Sequence, residues 1–277
     1  MLDCLLDGLV DTIKLLPYLF ITFLFLEFLE HKMSKKTEKL IQKNQKLGPI
    51  YGGVLGALPQ CGFSTISSNL YSAGIITMGT LIAVFLSTSD EMLPIMISEN
   101  ADLLFIIKVI GFKVIVGIIV GFIVDFFYKR KIDTDIHHMC DDDHCHCEEH
   151  NIFISSLIHT LKIALFILGA NIIINLIIFY IGEDSFKNLL VSGGVFTYFL
   201  SSLIGLIPNC ASSVIITELY LSNLISLGTM FAGLLTGSGL GILLLFKNNK
   251  NKKENIMILS IIFSVGVLIG IIVDILI

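Results

Sequence analysis

The sequence predicts an all-α polytopic membrane protein: about ten transmembrane helices in two inverted five-helix repeats, with broken helices or re-entrant hairpins at two Pro-x-Cys motifs. Three observations carry that expectation: long apolar runs, a repeat at fixed offset, and basic residues confined to alternate loops. The 277 residues are 55% hydrophobic and 15% charged, with mean hydropathy +0.88. A soluble domain is about 45–50% apolar and about 25% charged, so the excess has to face lipid. Runs at residues 9–29, 103–127, 153–181, 224–246 and 256–277 each approach or exceed the ~20 apolar residues a helix needs to cross a core of about 30 Å. The first run is too long for a signal-peptide core and no basic residue precedes it, so it reads as a true span. Net charge is −5 and lies mainly in loops; the bilayer is an expected partner and nucleic acid is not.

Shifting the chain by 149 residues lays Gly56 on Gly205 and keeps the two halves in register, without a gap, as far as Glu91 and Leu240. Pro59, Cys61, Ser64, Tyr71, Gly79, Thr80 and Ser89 then meet identical residues. Shared Leu and Ile mean little in an apolar chain. Shared Pro, Cys, Tyr and a Gly-Thr pair mean more, and internal repeats are common in secondary transporters.

The orientation of the repeats follows from charge. Lys32, Lys35, Lys36, Lys39, Lys43 and Lys46 crowd one loop, Lys129, Arg130 and Lys131 another, and Lys247, Lys250, Lys252 and Lys253 a third. The positive-inside rule places all three in the cytoplasm. The N-terminus, with Asp3, Asp7 and Asp11, and the short loops 98–102 and 182–188 fit outside. An odd number of crossings per half results, which inverts the second half and leaves both termini outside the plasma membrane. Residues 1–128 form the first repeat, 129–151 a cytosolic linker, and 152–277 the second repeat. Segments 48–75 and 189–221 split near their prolines into pieces too short to cross the core at 1.5 Å per residue, so each is two short spans or one re-entrant hairpin.

A proline inside lipid frees backbone groups, which are tolerated only in protein or against a water-filled cavity. Breaks at matching places in two halves therefore point to a transport site. Pro59 and Pro208 make the breaks. Around them Gln60 and Asn209 offer amide groups, Cys61 and Cys210 soft sulfur, and Ser64 and Ser213 hydroxyls. Ser89, Asp90, Glu91 and Glu218 extend the candidate ion-binding set, because ionisable residues within membranes are functional candidates. "TGSGLG" (236–241) stands opposite "STSDEM" (87–92). Its glycines serve either close helix approach or backbone exposure to a substrate. Lys14, Lys162 and His159 are left out of the site, since lysine near a helix end reaches the interface along its own stem.

The segment "HHMCDDDHCHCEEH" holds five of the seven histidines and three of the six cysteines, which marks it as metal-binding. His137, His138, Cys140, His144, Cys145, His146, Cys147 and His150 are its ligands. Thiolate and imidazole select soft and borderline ions. The cysteine spacing matches no closed zinc finger, and the expected role is to gather or sense metal at the cytosolic mouth.

"GGVLGALPQCGFS" (52–64), "GTLIAVFLSTSDEMLP" (79–94), "GLIPNCASS" (205–213) and the His/Cys-rich centre resemble ten-span heavy-metal or arsenic efflux proteins, a group also described as manganese transporters. The resemblance covers nearly the whole chain. It implies ten spans and export of a metal or metalloid ion, and it carries over Gln60, Cys61, Ser64, Ser89, Asp90, Glu91, Pro208, Asn209 and Cys210. Two cysteines favour trivalent arsenic or a zinc- or cadmium-like ion over manganese, which prefers oxygen ligands. No GxxxxGK[ST] string occurs, so a gradient rather than an ATPase domain of this chain is the expected drive. The expected chain is not an enzyme and carries no cofactor; metal is its substrate or is bound at the linker. A permease for a small anion or organic solute is the alternative, followed by a membrane dithiol redox enzyme or a metal sensor.

Overall fold

The structure, a computed structural model, describes residues 47–58, 61–89, 92–128 and 194–276, with isolated positions within 13–24 and 153–190. The described residues form ten helices and no strand: α1 Gly48–Gly56, α2 Cys61–Ser72, α3 Met78–Ser87, α4 Met92–Ser98, α5 Leu103–Phe127, α6 Phe196–Gly205, α7 Cys210–Leu221, α8 Leu227–Thr236, α9 Gly241–Asn248 and α10 Lys252–Leu276. Pro59, Gln60, Asp90, Glu91 and the linker ligands lie outside the described residues, as do the side chains of Cys61 and Cys210.

The second five helices follow the first at the same 149-residue offset, within a residue or two at their ends. The turns obey it too. α2 and α7 are both followed, two residues past their last, by a residue with positive φ, Gly74 at 74° and Asn223 at 55°. Glycine and asparagine are the residues that enter this region most cheaply. The α3 and α8 starts match as well. Thr77 caps α3 and Ser226 caps α8, their hydroxyls accepting from Thr80 N and Thr229 N at 3.1 Å. A carboxylate from the long helix completes each cap. Asp125 accepts from Thr77 Oγ1 at 2.7 Å and Gly79 N at 2.8 Å. Asp274 accepts from Ser226 Oγ, from Gly228 N at 2.7 Å and from Tyr198 OH at 2.8 Å. Negative charge at a helix N-terminus is doubly favoured, by the orphan N–H groups and by the dipole. Asp125→Ala and Asp274→Ala should therefore each cost about 1–2 kcal/mol. Asp274→Ala should cost more, because it also strands the Tyr198 hydroxyl. Thermal melts in detergent check the order.

Four described segments are long and apolar enough to cross a membrane. Leu103–Phe127 and Lys252–Leu276 are unbroken and only 28% and 33% buried, whereas Met78–Ser98 and Leu227–Asn248 are 75% and 83% buried. The long helices α5 and α10 thus carry the apolar outer wall, with Ile115, Ile119, Phe122, Leu268 and Ile272 exposed. The broken pairs α3–α4 and α8–α9 lie within. α5 packs on α3 and α1, and α10 on α8 and α6. Between the halves the pairing crosses over: α2 meets α9, α7 meets α4, and α3 meets α8.

Candidate functional site at the helix breaks

Chain direction determines where the breaks fall. A Cβ built on Gly48 would meet Thr80, on Gly52 Thr80 and Val84, and on Gly56 Val84 and Ser87. α1 therefore runs alongside α3 in the same direction and ends level with the end of α3. α2 then starts afresh at Cys61. In the second half, Gly205 at the end of α6 lies against Gly233 and Thr236 near the end of α8. Each half so brings two helix ends to one level: those at 57–58 and 88–89 in the first, and at 206–209 and 237–240 in the second.

Hydroxyls at these interruptions bond back to carbonyls three or four residues earlier, a use to which Ser and Thr are suited. Thr88 Oγ1 donates to Val84 O at 2.7 Å, Ser212 Oγ to Asn209 O at 2.9 Å, and Thr236 Oγ1 to Gly233 O at 2.8 Å. Ser89 Oγ crosses to Ala57 O at 2.7 Å and joins two interruptions directly.

A cavity of about 10 Å³ lies where the interruptions converge. Thr88, Ser89 and Met92 line it from the α3–α4 break, Asn209, Ser212 and Ser213 from the start of α7, Leu234, Gly237 and Gly239 from the end of α8, and Lys113 from α5. The free volume is on the scale of one water or one ion, far below the ~300 Å³ or more of a typical organic-ligand pocket. Among the described residues its lining offers hydroxyls, an amide, the Lys113 amino group, the Met92 thioether and backbone carbonyls, and no three His, Cys, Asp or Glu side chains converge.

Lys113 is the charged member. It is 1% exposed and sits in the middle of α5. Its amino group donates to Leu234 O at 2.8 Å and to Thr88 O. Thr88 caps α3 and Leu234 belongs to the last turns of α8. The ammonium therefore rests at the carbonyl ends of two broken helices, one from each half, where helix dipoles favour positive charge. A cation at bilayer depth costs at least about 2.5–3.5 kcal/mol, which makes this cavity the candidate functional centre. Sequence reasoning missed it. The signal was available: Lys108 and Lys113 interrupt an otherwise apolar run, and only Lys113 is too far from the helix start to reach the interface along its own stem.

Of the sequence candidates, the structure brings together Ser89, Asn209 and Ser213. Cys61 and Cys210 open α2 and α7 beside the breaks. Ser64 is buried elsewhere, at the α2–α9 contact, where its carbonyl lies 2.8 Å from where a Cβ on Gly241 would stand. Glu218 is exposed on α7 and does not line the cavity. Pro208 lies in the 206–209 interruption.

Paired discontinuous helices about a buried polar cavity, inside a wall of lipid-facing helices, define a multi-pass membrane protein of transporter type. The chain matches the family model described as "Putative, 10TM heavy-metal exporter" over residues 2–192 and 172–277, and it belongs to that family. No curated protein and no solved structure matches it.

Proposed function

We propose that the chain is a secondary transporter exporting a heavy-metal or metalloid ion from the cytosol across the plasma membrane, by alternating access around the cavity at the four helix breaks. The carrying observation is that cavity: residues of both halves meet there, at interrupted helices, around a buried cation. Inversion of the halves is supported by chain direction. Ser64 on α2 lies against Gly241 at the start of α9, and Asn69, further along α2, accepts from Asn248 at its end. α2 and α9 thus run parallel. α7 and α8 form a hairpin in which Ile216 meets Gly233, and α9 continues the α8 span, so α9 opposes α7. α2 and α7, equivalent in sequence, then point in opposite directions. On this reading α1–α2 and α6–α7 are re-entrant hairpins entering from opposite faces and meeting at mid-membrane.

The ion is arsenic, zinc- or cadmium-like, or manganese. Cys61 and Cys210 beside the breaks favour the soft candidates. Residues 1–128 and 152–277 are the two repeats, and the linker ligands His137–His150 gather metal on the cytosolic side without forming the transport site. Lys113 favours a second reading, a permease for a small anion. Ion accumulation in cells with and without the gene, across Zn, Cd, Cu, Mn, Co, Ni and arsenite, separates these. One soft ion should fall in the wild type and return to baseline in Cys61→Ser and Cys210→Ser. A change in manganese alone, or mutants that behave as wild type, removes the thiols from the site. A change in no metal, with an oxyanion moving instead, establishes the permease.

A further inference from the structure

The two ends of the helix assembly are related by the sequence repeat but differ in environment. On the end carrying Lys247, Lys250, Lys252 and Lys253, the halves are tied together. Tyr71 of α2 and Tyr128 after α5 donate to the two carboxylate oxygens of Glu254 on α10, each at 3.0 Å. Asn248 Nδ2 donates to Asn69 Oδ1 at 2.7 Å. Tyr71 and Asn69 are 0% exposed and Glu254 is 7% exposed. Asn249 and Asn255 brace the turn between α9 and α10, Asn249 Nδ2 donating to Asn255 Oδ1 at 2.7 Å.

The 149-residue offset carries Tyr71 to Tyr220 and Phe105 to Glu254. At the other end Tyr220 stacks on Phe105, centroids 5.6 Å apart and planes at 14°. One contact thus occurs twice between the halves, once as a tyrosine–carboxylate hydrogen bond and once as an aromatic stack. The flanking pair changes as well: Asn69 and Asn248 correspond to Glu218 and Glu99, both exposed. Tyr220 and Phe105 are only half-buried. Among the described residues the lysine-rich end is tied more tightly than its counterpart.

We propose that Tyr71, Tyr128 and Glu254, with the Asn69–Asn248 pair, are the cytoplasmic gate of the transporter, and that Phe105 and Tyr220 are its outer gate. The structure is the state shut toward the cytosol. The proposal rests on the exporter reading for its purpose, since a gate needs a path to close. Its geometry stands independently. A polar gate suits repeated opening, because its groups exchange protein partners for water at small net cost. Asn69 Nδ2 is buried without an acceptor, so the closed state leaves one polar group unsatisfied that opening would hydrate. Opening also bares the Glu254 carboxylate to a cation arriving from the cytosol.

Hydrogen–deuterium exchange on the full-length reconstituted protein tests this without a substrate. In Tyr71→Phe/Tyr128→Phe, which keeps both rings, amides at 69–75 and 248–255 should exchange about thirtyfold faster, the equivalent of two lost hydrogen bonds. Amides at 99–105 and 218–224 should not change. Phe105→Leu should give the converse pattern. Where the double variant does not fold, Glu254→Gln is measured the same way. No change, or an equal rise at both ends, overturns the gate. Absence of ion movement by the wild type would remove the exporter reading while leaving this exchange result to be judged separately.

Discussion

Export should fall to less than about a tenth of the wild-type rate when Lys113 is replaced by methionine. Methionine keeps an unbranched apolar stem, so α5 still packs, but the ammonium disappears from between Thr88 O and Leu234 O. Two carbonyl ends of broken helices are then left facing each other across the cavity. A hydrogen bond to a charged group is worth about 1.5–3 kcal/mol, and a tenfold loss of rate needs only about 1.4 kcal/mol. Flux per folded molecule, normalised by the monodisperse peak in size-exclusion chromatography, separates loss of function from loss of fold. Wild-type flux in Lys113→Met would reduce the lysine to a structural pin. The repeat does not duplicate it, since the equivalent position holds Ile262.

The largest loss of stability is expected at Gly79 and Gly228. A Cβ on Gly79 would lie 2.1 Å from Gly121 O and 2.5 Å from Asp125 Cγ; one on Gly228 would lie 2.1 Å from Gly270 O and 2.5 Å from Asp274 Cγ. The nearest obstacle is backbone in both cases, and the carboxyl beside it is fixed by its capping bonds, so neither can yield cheaply. Alanine at either site should cost about 3 kcal/mol or more, lowering the melting temperature in detergent by about 10 °C. Gly111→Ala is the control. Nothing lies within 4 Å of its Cβ position, and alanine is the better helix former, so it should be neutral or slightly stabilising. Equal effects at all three positions would contradict the close-packing account.

Apolar patterning made the outer wall legible and left the inner elements obscure. The run 103–127 became α5 with the same limits, because one unbroken apolar stretch on a lipid-facing helix has no competing signal. The run 224–246 looks equally continuous, yet the helix stops at Thr236 and resumes at Gly241. Hydropathy does not register a break whose residues are small. The glycines there are placed differently: Gly237 and Gly239 line the cavity, while Gly241 lets α9 approach α2. Asp125 and Asp274 escaped notice because a carboxylate near the end of an apolar run is cheap there, and their equivalence lies beyond the stretch in which the repeat is plain. Ser64 matched its repeat partner Ser213 in sequence, but the halves use them differently, one in a helix contact and one at the cavity. The tyrosine repeat at 71 and 220 was visible; its partners Glu254 and Phe105 were not, since their chemistry differs between the halves.

The most direct test of the central claim is ion flux into liposomes containing the purified wild-type chain and, in parallel, Lys113→Met. The same seven ions are presented one at a time under an imposed ion gradient. The account predicts uptake of one heavy-metal or metalloid ion by the wild type and its loss in the variant. Movement of none of the seven by correctly folded wild-type protein would contradict it.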